Sequence, residues 1–233
     1  MSMRSTFVLV SALSLAPLAS AKDLMEDRLH SCQKVVEEMT SVSEGIPLDL
    51  LDKADCVVVV PGVKKAALGI GGRLGWGAAV CRTGRDVDGP WGSPLMMSLK
   101  GGSVGLQIGG QSSDFVLLIM DPKGIDHLLR SKFTLGADAS IAAGPVGRNA
   151  EAATDVTLHA EILSYSRSRG IFAGLSLEGA SLAQDQKGNR AVYGYRVSAR
   201  EVLLDARTPI LAAGRGLVDA LNDLSPRHRR QER

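Results

Sequence analysis

The first clear pattern in the chain is helical and covers residues 23–40. Apolar residues recur there at spacings of three and four: Met25, Leu29, Cys32, Val36 and Met39. Charged and polar residues fill the positions between them, so the segment is predicted to be an amphipathic helix with one apolar face. A second, short helix is expected from residue 46, where a proline fits the first turn.

From residue 56 the pattern changes to short apolar runs separated by glycine-rich turns. The runs cover residues 56–60, 65–72, 76–82, 95–99, 103–108 and 115–120. No helical pattern lies between them, so they predict short strands in an antiparallel meander that curls or closes. Of the 26 glycines, 14 fall between Gly62 and Gly110, where they would weaken a long helix.

The second half of the chain mixes helical and strand patterns. Asp121 and Pro122 predict a helix start, and this helix is expected to end near residue 131. Strands are expected at 156–162 and 171–177, with a short extended piece at 193–195 and helices from Ser198 and Pro209. No repeat or low-complexity linker divides the chain. The fold class predicted is α+β, an antiparallel barrel-like sheet of short strands with flanking helices.

The first 21 residues are predicted to be a signal peptide. Arg4 precedes an apolar stretch at 6–18 that is too short to span a bilayer, and residues 19–21 form a small-x-small cleavage site. A single domain at 22–224 and a basic disordered tail at 225–233 are then expected. The mature protein would be periplasmic or secreted, and soluble or peripheral to a membrane. The alternative for residues 1–21 is a buried or membrane-anchoring helix.

Composition narrows the class of protein. The chain has 233 residues, of which 45% are hydrophobic and 22% charged, and these values exclude a disordered or polytopic membrane chain. The net charge of +2 argues against nucleic acid as a partner. Cys32, Cys56 and Cys81 match no zinc-site spacing, and either one disulfide with a free thiol or three buried thiols fits an exported chain.

The sequence shows no active site. Residues 101–105 match G-x-S-x-G around Ser103, but the following residues predict another strand where a nucleophile elbow needs a helix. No P-loop, complete dinucleotide motif, H-E-x-x-H or calcium loop occurs. We therefore expect no enzymatic activity, no cofactor and no metal.

Basic residues in predicted loops are the candidates for binding. Lys64 and Lys65 follow a Pro-Gly turn, and Arg148 closes a glycine-rich stretch whose backbone N–H groups would be open to an anion. Arg167 and Arg169 alternate with serines in a connection between strands. This composition suits phosphate or a lipid headgroup. The alternative is ordinary solvated loop charge.

Several motifs together resemble the SYLF-domain family, over about residues 46–204. They include residues 46–54, Pro61, 71–73, 91–94, 102–109, Asp114, 135–138, 142–148, 164–174 and 177–179. The resemblance implies an α+β domain with a barrel-like core. It also implies lipid binding, known as phosphoinositide recognition in eukaryotic members, and actin-filament binding in some members. Trp76 departs from the family pattern, because it stands where Gly-Arg-Gly is usual.

The function expected from residues and resemblance together is that of a non-enzymatic lipid-binding domain. It would recognise anionic, phosphoinositide-like headgroups at a membrane surface through Lys64, Lys65, Arg148, Arg167 and Arg169. Actin is not expected as a partner of an exported, bacterial-type member. The alternative is a structural or protein-interaction module of the cell envelope that docks through the helix at 23–40.

Overall fold

The computed structural model describes residues 20–84, 87–146, 160–168, 171–173, 177–205 and 207–226. The helices in these ranges are α1 (Ala21–Thr40), α2 (Leu48–Lys53), α3 (Pro122–Leu129), α4 (Gln186–Tyr193), α5 (Ala199–Leu203) and α6 (Ala212–Leu224). The strands are β1 (Cys56–Cys81), β2 (Leu95–Ile119), β3 (Lys132–Thr134), β4 (Ile141–Ala143), β5 (Ile162–Ser168), β6 (Ile171–Ala173) and β7 (Ser181–Gln184). The α+β class is confirmed. Most of the predicted signal peptide, residues 156–159 of the strand predicted at 156–162, and all but two residues of the predicted tail lie outside the described residues. Ile162, at the end of that predicted strand, begins β5.

Strands β1 and β2 form one long antiparallel ribbon. They pair from Cys56 opposite Ile119 to Ala79 opposite Leu95. The prediction of six separate short strands is therefore wrong, because the glycine-rich stretches bend the ribbon without ending it. The pairing register shifts between Val60 and Val63 and again between residues 68 and 70. Such bulges, with glycine beside them, let a ribbon turn a corner while it stays hydrogen bonded.

The ribbon folds back until the two ends of β1 meet. The backbone N–H of Arg82 donates to the carbonyl of Asp55 at 2.9 Å, and Cys56 forms a disulfide with Cys81. The third cysteine, Cys32, is a buried free thiol, and burial raises its pKa to about 12. The question that the sequence left open thus resolves to one disulfide and one unreactive thiol.

The shorter strands extend the ribbon from the two ends of β2, on the edge that faces away from β1. The start of β2 pairs with β7, which pairs with β3, and the end of β2 pairs with β5. These pairings and the β5–β6 pairing are antiparallel, whereas β4 lies parallel to β5. Among the described residues the result is a curled sheet of seven strands, in the order β3-β7-β2-β5-β4 with β1 on β2 and β6 on β5.

Helix α1 is part of the core. Ser20 caps it by accepting a hydrogen bond from the N–H of Asp23, and its apolar face packs on β1 and α6. The buried residues of that face are Met25, Leu29, Cys32, Val35, Val36 and Met39. The idea that this helix offers an apolar face to a partner or a membrane is therefore wrong, since the face is already covered.

Two features near the end of the described chain also differ from the sequence prediction. Tyr193, expected in an extended piece, ends helix α4, and Gly194 follows at a φ of 79° as a left-handed cap. Ser225, assigned to the tail, is fully buried. Its hydroxyl accepts a hydrogen bond from the buried Arg82 at 2.6 Å, while its carbonyl accepts one from the indole N–H of Trp91. These bonds tie the end of α6 to the closure of the ribbon.

Candidate functional site

One face of the sheet has two rows of residues that point away from the core. Across β1, β2, β7 and β3, the first row is Trp76, Ser98, Ala183 and Lys132, and the second is Leu74, Lys100, Ser181 and Thr134. The row between them is Gly75, Leu99, Leu182 and Phe133, and all four of these residues are buried. Because side chains alternate along a strand, the two flanking rows lie on the opposite side of the sheet. We call these eight residues the outer face.

The outer face carries an exposed apolar pair. Trp76 is 44% exposed and Leu74 is 37% exposed, and the two lie two residues apart on the same side of β1. The other positions in the two rows are small or polar, with Ser98 and Lys100 directly opposite the pair on β2, so the pair has no large apolar neighbour in these rows. Tryptophan is highly buried on average in soluble proteins, so this position needs an explanation.

The outward direction of Trp76 is fixed by the glycines on either side of it. A Cβ on Gly77 would overlap the backbone carbonyl of Val59, and one on Gly75 would lie 2.7 Å from Val63 and 2.8 Å from Val60. No side chain therefore fits the inner side of β1 here. A one-residue slip of the register, which would turn Trp76 inward, is excluded by the same contacts.

Positive charge accompanies the apolar pair. Lys100 lies opposite Leu74 and is exposed, and Lys132 is exposed at the far edge of the face. None of the eight outer-face residues is acidic. The whole β1–β2 ribbon contains four cationic residues, which are Lys64, Lys65, Arg73 and Lys100. Its single carboxylate belongs to Asp114, which is bound by an arginine.

The predicted residues Lys64 and Lys65 lie on β1 beyond the corner of the ribbon. Lys64 is exposed and pairs in register with Ser112, and Lys65 is partly exposed opposite Gln111. Their neighbour Val63 packs directly against Gly75. The fold therefore packs Val63 against the strand segment that carries Leu74 and Trp76, while Lys64, the next residue along β1, faces the other side of its strand.

Arg167 is engaged in internal ion pairs. Its guanidinium donates to Asp114 at 2.8 Å and also pairs with Glu38 of α1. Partial burial lowers the pKa of Arg167, but the hydrogen bonds to these carboxylates outweigh that effect and raise the pKa above its usual value. Asp114 also accepts the backbone N–H of Gly62 at 2.9 Å. This geometry favours a structural role for Arg167, holding β5 and α1 to the bend of the ribbon.

The other residues singled out from the sequence lie either outside the described residues or within a continuous strand. Arg148 and Arg169 lie outside the described residues. Ser103 lies within β2 opposite Gly71, in continuous strand, so no strand-turn-helix elbow forms around it. In the described part of the chain, no group of three or more potential ligands could hold a metal ion. No helix among the described residues is both long enough and apolar enough to cross a membrane.

A separate surface, which is concave, lies between the end of α3, β7 and the segment before α5. It is an open cleft of about 420 Å³, lined by polar residues that include Ser131, Gln184, Arg196 and Glu201. Gln184 is held by three backbone carbonyls at the end of α3, and Glu201 caps α5 through hydrogen bonds to Ser198. These bonds give the cleft fixed walls.

Sequence reasoning missed the outer face for a specific reason. In the sequence Trp76 is only a departure from the family pattern, and no local motif marks Lys100 or Lys132. The alternation of Leu74 and Trp76 with two glycines is visible in the sequence and could have indicated an outward apolar pair. The rows across β7 and β3 could not, because β7 pairs with β2, and β3 with β7, from distant parts of the chain.

Comparisons with known proteins place the chain in a family. Residues 100–224 match the family profile Ysc84, described as "Las17-binding protein actin regulator". An SH3 domain-containing protein of Schizosaccharomyces pombe is 36% identical over 184 residues, which are 74% of this chain and 42% of the relative. The Saccharomyces cerevisiae protein named "LAS seventeen-binding protein 3" is 33% identical over 169 residues, 71% of this chain and 36% of that protein.

A human relative covers more of the chain. It is named "SH3 domain-containing YSC84-like protein 1" and is 29% identical over 211 residues, 88% of this chain and 60% of the relative. The chain thus spans less than two thirds of the length of these relatives. The family match, the identities and the agreement between the expected and observed architecture lead to one conclusion. The chain belongs to the Ysc84, or SYLF-domain, family.

Proposed function

We propose that this protein is a non-enzymatic, exported domain that binds anionic lipid headgroups at a membrane surface through its outer face. The observation that carries the proposal is the charge pattern of that face. Lysines and an apolar pair lie together on a sheet surface that has no acidic residue in its two rows. An anionic bilayer matches such a surface in both charge and polarity.

The expected strength follows from the number of cations. A basic side chain near an anionic membrane contributes on the order of 1 kcal/mol, so Lys100 and Lys132 together supply about 2 kcal/mol. Lys64 and Arg73 lie on the same ribbon but not in the two outer rows, so the attraction rests on Lys100 and Lys132. The net charge of the chain is only +2, so binding depends on the local cluster and weakens as salt rises. Arg167, already paired, contributes little to this surface.

Vesicle co-sedimentation tests the proposal. The protein is expected to bind phosphatidylglycerol-containing vesicles better than neutral phosphatidylcholine vesicles, and phosphoinositide vesicles of equal charge measure headgroup preference. The double variant Lys100→Gln/Lys132→Gln should weaken binding about 30-fold, which corresponds to ~2 kcal/mol. The matched control Lys123→Gln/Lys187→Gln removes two exposed lysines that lie outside the outer face and should bind as the parent does. Equal binding to neutral and anionic vesicles would refute the proposal.

The second candidate function is a protein-interaction module of the cell envelope. It is supported by the cleft that includes Arg196 and Glu201, since its fixed polar walls could hold a segment of a partner. The names of the yeast relatives also describe protein binding, although of those proteins only. A photocrosslinking residue at Arg196 tests this candidate in the envelope. One reproducible protein adduct supports it, and the absence of an adduct counts against it.

A further inference from the structure

We propose that Trp76 is the membrane anchor of this protein and that Leu74 inserts beside it, so that the outer face of the domain lies against the bilayer. The inference rests on the proposed function and makes it more specific. It states which side chains enter the bilayer and how the domain is oriented. Charge attraction alone would specify neither.

The two tryptophans of the chain have opposite environments. Trp91 is 1% exposed, its indole N–H donates to the carbonyl of Ser225 at 3.1 Å, and the Arg82 guanidinium lies 4.2 Å above its ring. Trp76 is 44% exposed, and its indole N–H has no hydrogen-bond partner in the part of the chain that the structure describes. An exposed indole offers an apolar ring and a free N–H donor, a combination that suits the boundary between headgroups and acyl chains.

The anchor is held rigidly. Gly75 and Gly77 pack against the other half of β1, and the strand is hydrogen bonded to β2 on either side of Trp76. The indole therefore cannot turn into the core to escape water. Little conformational entropy remains to be lost when it inserts, because the backbone that carries it is already fixed.

The surroundings of Trp76 fit a bilayer surface. Leu74 adds a second apolar side chain on the same side, and Lys100 lies directly opposite Leu74 on β2. Lys132 lies three strands away, about 14 Å across the sheet at the usual strand spacing. The stem of Lys100 can lie along the apolar pair while its ammonium reaches a phosphate, and Lys132 can reach a second phosphate at the far edge of the face. The combination of charge and apolar area indicates an anionic bilayer as the occupant.

Intrinsic fluorescence tests the anchor directly. The mature protein is mixed with phosphatidylglycerol/phosphatidylcholine vesicles whose acyl chains carry bromine, a quencher of tryptophan. We expect a blue shift and clear quenching for the parent protein. In Trp76→Phe the quenching should disappear, because the remaining Trp91 is buried in the domain.

Binding variants separate insertion from charge attraction. Trp76→Ser and Leu74→Ser should each weaken vesicle binding about five- to tenfold, the loss expected when part of an apolar side chain is no longer buried. Leu48→Ser is the matched control, because Leu48 is 45% exposed on α2 and lies outside the outer face. Thermal unfolding of each variant verifies that the fold is intact, and Trp76→Phe serves in place of Trp76→Ser if the latter does not fold.

The outcomes are distinguishable. Vesicle binding without quenching of Trp76, or equal losses in Leu74→Ser and Leu48→Ser, would overturn the anchor and leave the proposed function standing on charge alone. Absence of binding to any anionic vesicle would overturn both the anchor and the proposed function. Quenching that requires Trp76, together with a selective loss in Leu74→Ser, would establish the orientation.

Discussion

The closure of the ribbon predicts a graded series of glycine variants. Gly77, Gly75 and Gly102 all lie in the β1–β2 ribbon, and none has a positive φ. An alanine is therefore tolerated by the backbone conformation at each position. The three sites differ only in the space available for a Cβ, so the series measures how closely the two halves of β1 approach each other.

The magnitudes follow from what the added Cβ would meet. At Gly77 it overlaps the backbone carbonyl of Val59, so two hydrogen-bonded strands must separate, and we expect a loss of about 3 kcal/mol or more. At Gly75 it meets the side chains of Val60 and Val63 at 2.8 and 2.7 Å, which predicts a loss of ~1–3 kcal/mol. At Gly102 nothing lies within 4 Å, and alanine should be neutral or stabilise by up to ~1 kcal/mol.

Thermal unfolding followed by circular dichroism is the assay. For a domain of this size each kcal/mol shifts the Tm by roughly 2–4 °C, so Gly77→Ala should unfold about 6–12 °C below the parent. Gly75→Ala should fall between the parent and Gly77→Ala, and Gly102→Ala should match or exceed the parent. If Gly77→Ala and Gly102→Ala unfolded within ~2 °C of each other, the two halves of β1 would not be packed as described.

Two further predictions concern the bonds that hold the ribbon. The Cys56–Cys81 disulfide joins residues 25 apart in sequence, so Cys56→Ala/Cys81→Ala should cost about 3 kcal/mol. Unfolding with and without reductant checks this, and a reductant-insensitive parent as stable as the double variant would contradict it. Arg167→Ala should cost about 1–3 kcal/mol, because it leaves the partly buried Asp114 without its cation. Lys64→Ala, at an exposed position, should change stability by less than ~0.5 kcal/mol. Equal Tm values for Arg167→Ala and Lys64→Ala would contradict the structural role of Arg167.

Local patterns were sufficient for several parts of the fold. The three- and four-residue spacing of apolar residues predicted α1, and the Asp121 and Ser198 caps predicted the starts of α3 and α5. The α+β class also followed from runs and turns, although the runs on β1 and β2 predict too many strands. Helix α4 was missed, although Asp185 before it and Gly194 after it are ordinary cap residues that a closer reading could have used.

The candidate site was predicted only in part. Basic residues on the ribbon were recognised from the glycine and proline beside them, and Lys64 is indeed exposed. Arg167 could not be assigned from sequence, because its partners Glu38 and Asp114 lie more than 50 residues away along the chain. The same holds for Lys132, which joins the outer face only through the β7–β3 pairing.

The sequence by itself determined most of the helices, because periodicity, caps and turn residues act over a few neighbouring positions. It could not determine that glycines on β1 bend a continuous strand, because glycine is expected both where a strand ends and where a strand bends. Tertiary structure decided that the ends of β1 meet, which selected the Cys56–Cys81 pair from three cysteines. It also decided that the apolar face of α1 is buried while Trp76 is exposed. Both outcomes depend on contacts between distant segments, and burial is a property of those contacts rather than of local sequence.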